Sequence, residues 1–155
     1  MKNSILSILC IISLAAVMQS CSKEASDNTT ASISDQSIAR MANSGDMVSI
    51  NSSDKTIQTM GGSFRIKMNS VAVKAYKNGT SNYPNNSILV REALDANGNV
   101  TGSDIMFRSE NDAHAHNGWI WTSLDGSGNV IYDGSLKGVK CQSCHSGSVS
   151  TLAGL

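Results

Sequence analysis

Ser87-Ile88-Leu89-Val90-Arg91-Glu92-Ala93-Leu94 runs directly into Asp95-Ala96-Asn97-Gly98-Asn99, and that junction decides the architecture. The first eight residues form a β-rich run, and the five that follow are of the kinds that tight turns need. A strand ending in a hairpin loop is the economical reading. The same punctuation recurs downstream. Asp104 to Arg108 and Trp119 to Leu124 read as strands, and Asp125-Gly126-Ser127-Gly128-Asn129 leads into a last one, Val130 to Tyr132. The four runs predict an antiparallel meander. No strand–helix–strand alternation appears, so a parallel nucleotide-binding sheet is not expected. A glycine-rich phosphate loop, a nucleophile elbow and a long internal repeat are missing as well.

Upstream of the meander the period changes to that of helices. Asn69 is placed to cap a helix through Val71, Ala72, Ala75 and Tyr76, ending at Asn78-Gly79, where glycine takes the left-handed conformation that closes a helix. Ile33, Ser37, Ile38 and Met41 recur near helical spacing, with Gly45 as the stop. Met47 to Ile50 and Thr56 to Met60 are too short to assign, Gly61-Gly62 reads as a turn, and Ser81 to Asn86, with Pro84, reads as a loop. The fold class expected is α+β, mainly antiparallel β: a small sheet meander with flanking short helices and a C-terminal segment of special chemistry.

That segment is Cys141-Gln142-Ser143-Cys144-His145. Two thiols three apart, with a histidine directly after the second, form the c-type haem attachment signature. Each thiol adds across one haem vinyl group and the adjacent imidazole reaches the iron. On the first turn of a helix this spacing puts both sulfurs on one side, with His145 as proximal ligand. A thioredoxin-like pair would need a strand before it and a long helix after it, whereas only eleven residues follow Cys144, several of them Gly or Ser. A structural zinc site would need His114 and His116 to join Cys141 and Cys144, but the two histidines are closer together than zinc-finger spacing.

The other end of the chain points to export. Lys2 followed by the apolar run Ile5 to Val17 is the pattern of a secretory signal peptide, assigned to residues 1–20. Met18-Gln19-Ser20-Cys21 resembles a bacterial lipoprotein cleavage site, with Cys21 as the lipid-bearing residue and 21–32 as a polar tether. Residues 33–155 then form a single domain with one core. Cys10 lies in the signal, Cys21 at its end, and Cys141 and Cys144 in the haem motif, so no disulfide framework remains. Periplasmic or outer-membrane location in a bacterium follows, which is where covalent haem attachment takes place. The formal charge of the full chain is zero and no basic cluster appears, so nucleic acid is not an expected partner. Arg65, Lys67, Lys74 and Arg91 are candidate partners for haem propionates.

Taken together, Asn69-Ser70-Val71-Ala72 with Lys74-Ala75-Tyr76, Tyr83-Pro84-Asn85-Asn86-Ser87-Ile88-Leu89-Val90-Arg91-Glu92, Gly118-Trp119-Ile120-Trp121 and Cys141 to His145 resemble, in order and spacing, the cytochrome P-460 family, which includes the cytochromes c′-beta. The likeness runs from about Phe64 to Ser146. It implies a mostly antiparallel β domain with one covalent haem c, a proximal histidine and an open or weakly occupied distal side. It also implies a small gaseous or nitrogen-oxide ligand, with a redox partner protein and a homodimer left open, and membrane contact through the lipid anchor only. Family members of the P-460 kind cross-link a lysine to the porphyrin and oxidise hydroxylamine or nitric oxide, whereas c′-beta members bind gases in an apolar pocket. Here Arg91 stands where relatives commonly carry lysine, and a permanently protonated arginine does not suit that bond. An oxidoreductase acting on hydroxylamine or nitric oxide is therefore the alternative reading, and a six-coordinate electron carrier is another.

Around the haem, Trp119 and Trp121 alternate to one face as pocket wall or sheet core, with Ile120, Thr122 and Leu124 on the other. Met106 is either a soft sixth ligand or core filling. His114 or His116 is a candidate distal histidine, with Glu110 or Asp112 standing in for the family's carboxylate and Arg91 as a further catalytic candidate, or these are simply solvated residues.

Overall fold

A computed structural model describes residues 32–50 and 63–145. The segments expected as signal peptide and tether, except Ser32, with Cys21, and also Thr56 to Met60 and the expected turn at Gly61-Gly62, lie outside the described residues. Helix α1 (Asp35–Ala42) is followed by strands β1 (Val48–Ser49) and β2 (Ser63–Met68), helix α2 (Ser70–Lys77), and strands β3 (Ile88–Leu94), β4 (Val100–Arg108), β5 (Trp119–Asp125) and β6 (Val130–Tyr132). A 3-10 turn (Gly134–Leu136) and a short helix α3 (Gln142–His145) complete the described chain. The strands form one antiparallel sheet in the order β1-β2-β3-β4-β5-β6. The expected mainly antiparallel α+β architecture is what the chain adopts.

Two of the hairpin loops are near-copies of each other. Asp95 Oδ1 accepts from the backbone N–H groups of Asn97 and Asn99, both at 2.8 Å, and Asp125 Oδ1 accepts from Ser127 and Asn129 at 2.9 and 2.8 Å. In each loop the fifth residue, asparagine, donates its side-chain N–H to the other carboxylate oxygen at 3.0 Å. The aspartate thus stands in for a missing strand partner, which is why both loops start on Asp and end on Asn.

The helix boundaries follow from caps. Ser34 accepts from Ser37 N and starts α1 at Asp35, two residues later than the apolar spacing suggests; Ile33 packs against the core instead. Asn69 caps α2 as expected, accepting from Ala72 N at 3.0 Å. Its Oδ1 also accepts from Ile88 N at 3.1 Å, while Nδ2 donates to Asn86 O at 2.8 Å, so one side chain joins helix and sheet.

Two strand assignments are corrected. β2 was not expected at all, although its burial alternates strictly, because Arg65 and Lys67 on its second face read as surface charges. β4 begins at Val100 rather than Asp104. Its first half, Val100 to Asp104, buries no side chain and is held in strand conformation by pairing with β3 and β5.

Alternation splits the apolar residues between the two sides of the sheet. Ile88, Val90, Ile105, Phe107, Ile120 and Leu124 form one core, closed by Ile38 and Ala42 of α1. Phe64, Ile66, Met68, Leu89, Met106, Trp119, Trp121 and Tyr132 form the other, joined at one end by Ala72 and Ala75 of α2. Trp119 and Trp121 share a face opposite Ile120 and Leu124, and Met106 opposes Ile105 and Phe107, as the strand period requires.

Candidate functional site

Where α2 does not reach, the second face is covered by the C-terminal segment. Asp133 accepts from Ser135 N at 2.7 Å to start the 3-10 turn, and Lys137 and Gly138 then both take left-handed backbone angles, φ +49° and +68°. This pair redirects the chain back over the sheet. At Gly138 no side chain fits: a Cβ would come within 2.5 Å of Trp121 Cδ1, so the backbone rests directly on the indole. From there Cys141 N donates to Gly138 O at 2.7 Å and His145 N to Cys141 O at 3.1 Å. That last bond spans one helical turn and sets Cys141 and His145 on the same side of α3.

Between this segment and the sheet is a cavity of about 430 Å³. Leu89, Met106 and Trp121, directly opposite one another on β3, β4 and β5, make an apolar row of its sheet wall. The neighbouring row is Arg91, Asp104 and Ser123. Lys140, Cys141 and His145 line the cavity from the C-terminal segment. The His145 ring lies against Trp121, with centroids 5.1 Å apart and planes inclined at 48°. Burial pushes the His145 pKa below its usual 6.5, and the Asp104 carboxylate works in the opposite direction with smaller effect. Near neutral pH the ring is therefore uncharged, the form in which an imidazole ligates metal. The side chain of Cys144 lies outside the described residues.

One polar group of the cavity wall lacks a partner. Trp121 Nε1 is buried and has no hydrogen-bond partner among the described residues, a state that costs about 1–3 kcal/mol unless an acceptor or water meets it. Such a wall suits a largely apolar group with an acceptor atom near Trp121. The donor set, an imidazole beside a thiol with cations nearby, suits a covalently held haem: Cys141 and Cys144 would carry it and His145 would ligate its iron.

Of the cations expected to meet propionates, only Arg91 lines the cavity. Arg65 and Lys67 project from the other face and both engage buried Glu92, Arg65 Nε at 2.6 Å and Lys67 Nζ at 3.1 Å, while Lys74 is exposed on α2. Lys140 was not expected, although its position immediately before Cys141 was a signal.

Glu110, His114 and His116 do not line the cavity. They belong to the β4–β5 loop, whose own bonding holds it elsewhere. Glu110 pairs with Arg108, whose guanidinium also donates to Asn117 O at 2.7 Å and lies over the Trp119 ring. His116 exchanges both backbone hydrogen bonds with Trp119, at 2.8 and 3.0 Å. Asp112 is occupied as an anchor: it accepts from Ser32 Oγ, Ile33 N and His114 N, each at 2.8 Å. Among the described residues no three His, Cys, Asp or Glu side chains converge as a metal site.

The chain matches no protein-family model and no curated protein.

Proposed function

We propose that this chain is an exported, lipid-anchored monohaem cytochrome of the P-460/c′-beta type that takes a small ligand, nitric oxide foremost, at a haem held by Cys141, Cys144 and His145. The observation that carries this reading is the cavity with Cys141 and His145 on one wall and the apolar row Leu89–Met106–Trp121 on the other. When bound, haem supplies an iron centre that changes oxidation state and takes up diatomic molecules. His145, uncharged and packed on Trp121, would ligate the iron. Leu89 and Met106 would make their part of the cavity apolar and keep water from a bound group. Cys21 attaches the protein to a bacterial membrane surface by lipid.

The test is expression in cells that mature c-type cytochromes. The red pigment is expected to stay with the protein after denaturation, with an intact mass greater by one haem, and the ferrous form is expected to change its absorption bands on exposure to nitric oxide. Pigment that washes out, or zinc in place of iron, defeats the proposal.

Met106 favours a second reading, because it lines the same cavity from the sheet. A six-coordinate electron carrier would then result. In that case the wild type refuses the gas and Met106→Ala accepts it.

A further inference from the structure

The polar row of the cavity wall is assembled around one arginine. Ser123 Oγ donates to Asp104 Oδ1 at 2.8 Å, and Asp104 Oδ2 accepts from Arg91 Nη1 at 3.2 Å. The Arg91 guanidinium carbon also lies 5.2 Å from the centre of the Phe64 ring. A carboxylate on one side and an aromatic face on another therefore orient the guanidinium while using a single one of its N–H donors. No other hydrogen bond leaves that guanidinium among the described residues, and the side chain is 27% exposed, at the wall rather than out in solvent. Among the described residues, the charged side chains that line the cavity beside Arg91 are Asp104 and Lys140.

We propose that Arg91 is the receptor for a planar two-oxygen anion in this cavity, a carboxylate or its inorganic analogue nitrite. Asp104 and Phe64 act as positioning residues that set the plane of the guanidinium. The rigid fork of an arginine pairs with two coplanar oxygens at once, which an ammonium group does not. Two sources supply that chemistry: a propionate of the haem proposed above, or a free small anion. Only the first rests on the haem reading.

Formate and nitrite titrated into full-length wild type, Arg91→Gln and Arg91→Lys test this, read by tryptophan fluorescence in haem-free protein and by ferric absorption bands where haem is attached. Saturable binding to wild type, weakened about tenfold or more in Arg91→Gln and only partly recovered in Arg91→Lys, supports a free anion. No binding to wild type, together with a propionate-bending band in resonance Raman that moves in Arg91→Gln, supports the attached carboxylate. Binding that is equal in all three proteins overturns the proposal, as does absent binding with an unmoved Raman band. Circular dichroism melts confirm that each variant is folded, and Arg91→Lys carries the test alone if Arg91→Gln is not. Arginine-dependent anion binding in a chain that gains no covalent haem even in cells that mature c-type cytochromes would sink the cytochrome reading and leave this one standing. Covalent haem with indifference to Arg91 would do the reverse.

Discussion

The two faces of the sheet come from the same strands and the same alternation, yet one is sealed and the other is hollow. On the sealed face α1 lays Ile38 and Ala42 across β3, β4 and β5, and Asp35 ties the helix to the far end of the chain by accepting from Gly134 N at 3.0 Å. On the other face α2 packs at one end only. The rest is spanned by the non-repetitive segment leading to α3, which touches Trp121 at Gly138 and leaves a cavity beyond. A helix presents a continuous apolar stripe that fills the space over a sheet. A segment turned by two left-handed residues makes contact at points, and room remains between them.

The contrast is broken most directly by cutting one side chain from each face. Ile120→Ala, at a fully buried position on the sealed face, is expected to cost about 3–4 kcal/mol in urea unfolding, the transfer term plus an unfilled hole. Met106→Ala, in the wall of an existing cavity, is expected to cost about half as much, because part of its surface has no packing partner to lose. Equal costs would mean that the two faces are packed alike.

Next in size is the joint that holds α2 on the hollow face. Asn69→Ala removes the helix cap and the acceptor for Ile88 N together, a loss of about 2 kcal/mol in the same assay. Asn69→Asp, which keeps the acceptor oxygen, is expected to recover most of it. If alanine is harmless, α2 is held by Ala72 and Ala75 alone.

The smallest effect concerns the start of the sealed face, where Asp112 anchors Ser32 and Ile33. Burial raises the Asp112 pKa, but the hydrogen bonds from His114 N, Ile33 N and Ser32 Oγ, with the nearby His114 ring, lower it further, and the net value falls below the ordinary 3.8. A carboxylate depressed in this way stabilises the folded state above the unfolded pKa, and the contribution is lost as pH falls through the folded value. Asp112→Asn is therefore expected to melt below wild type at pH 7, by about 1 kcal/mol of lost hydrogen bonding, with the gap closing in acid. A gap that stays constant down to pH 2 would show that the charge of Asp112 is immaterial.

The meander and the Asn69 cap were legible because they depend on neighbours in sequence. Asp95 and Asp125 bind amides two and four residues on, and Asn69 binds one three residues on, so residue type and spacing suffice. β2 was not legible, because Arg65 and Lys67 make sense in a strand only once Glu92 is seen beside them. The placing of Glu110, His114 and His116 away from the cavity depends likewise on Arg108, Asn117 and Trp119.

The sequence alone determined the strand-and-turn order, the opposed faces of β5 and the thiol–thiol–imidazole spacing near the C-terminus, since each is a matter of local geometry and chemistry. Only the tertiary structure decided which cation, carboxylate and hydroxyl share the cavity with His145. Arg91, Asp104 and Ser123 are brought side by side by strand register, and register is set by packing of the whole sheet rather than by any one stretch of chain.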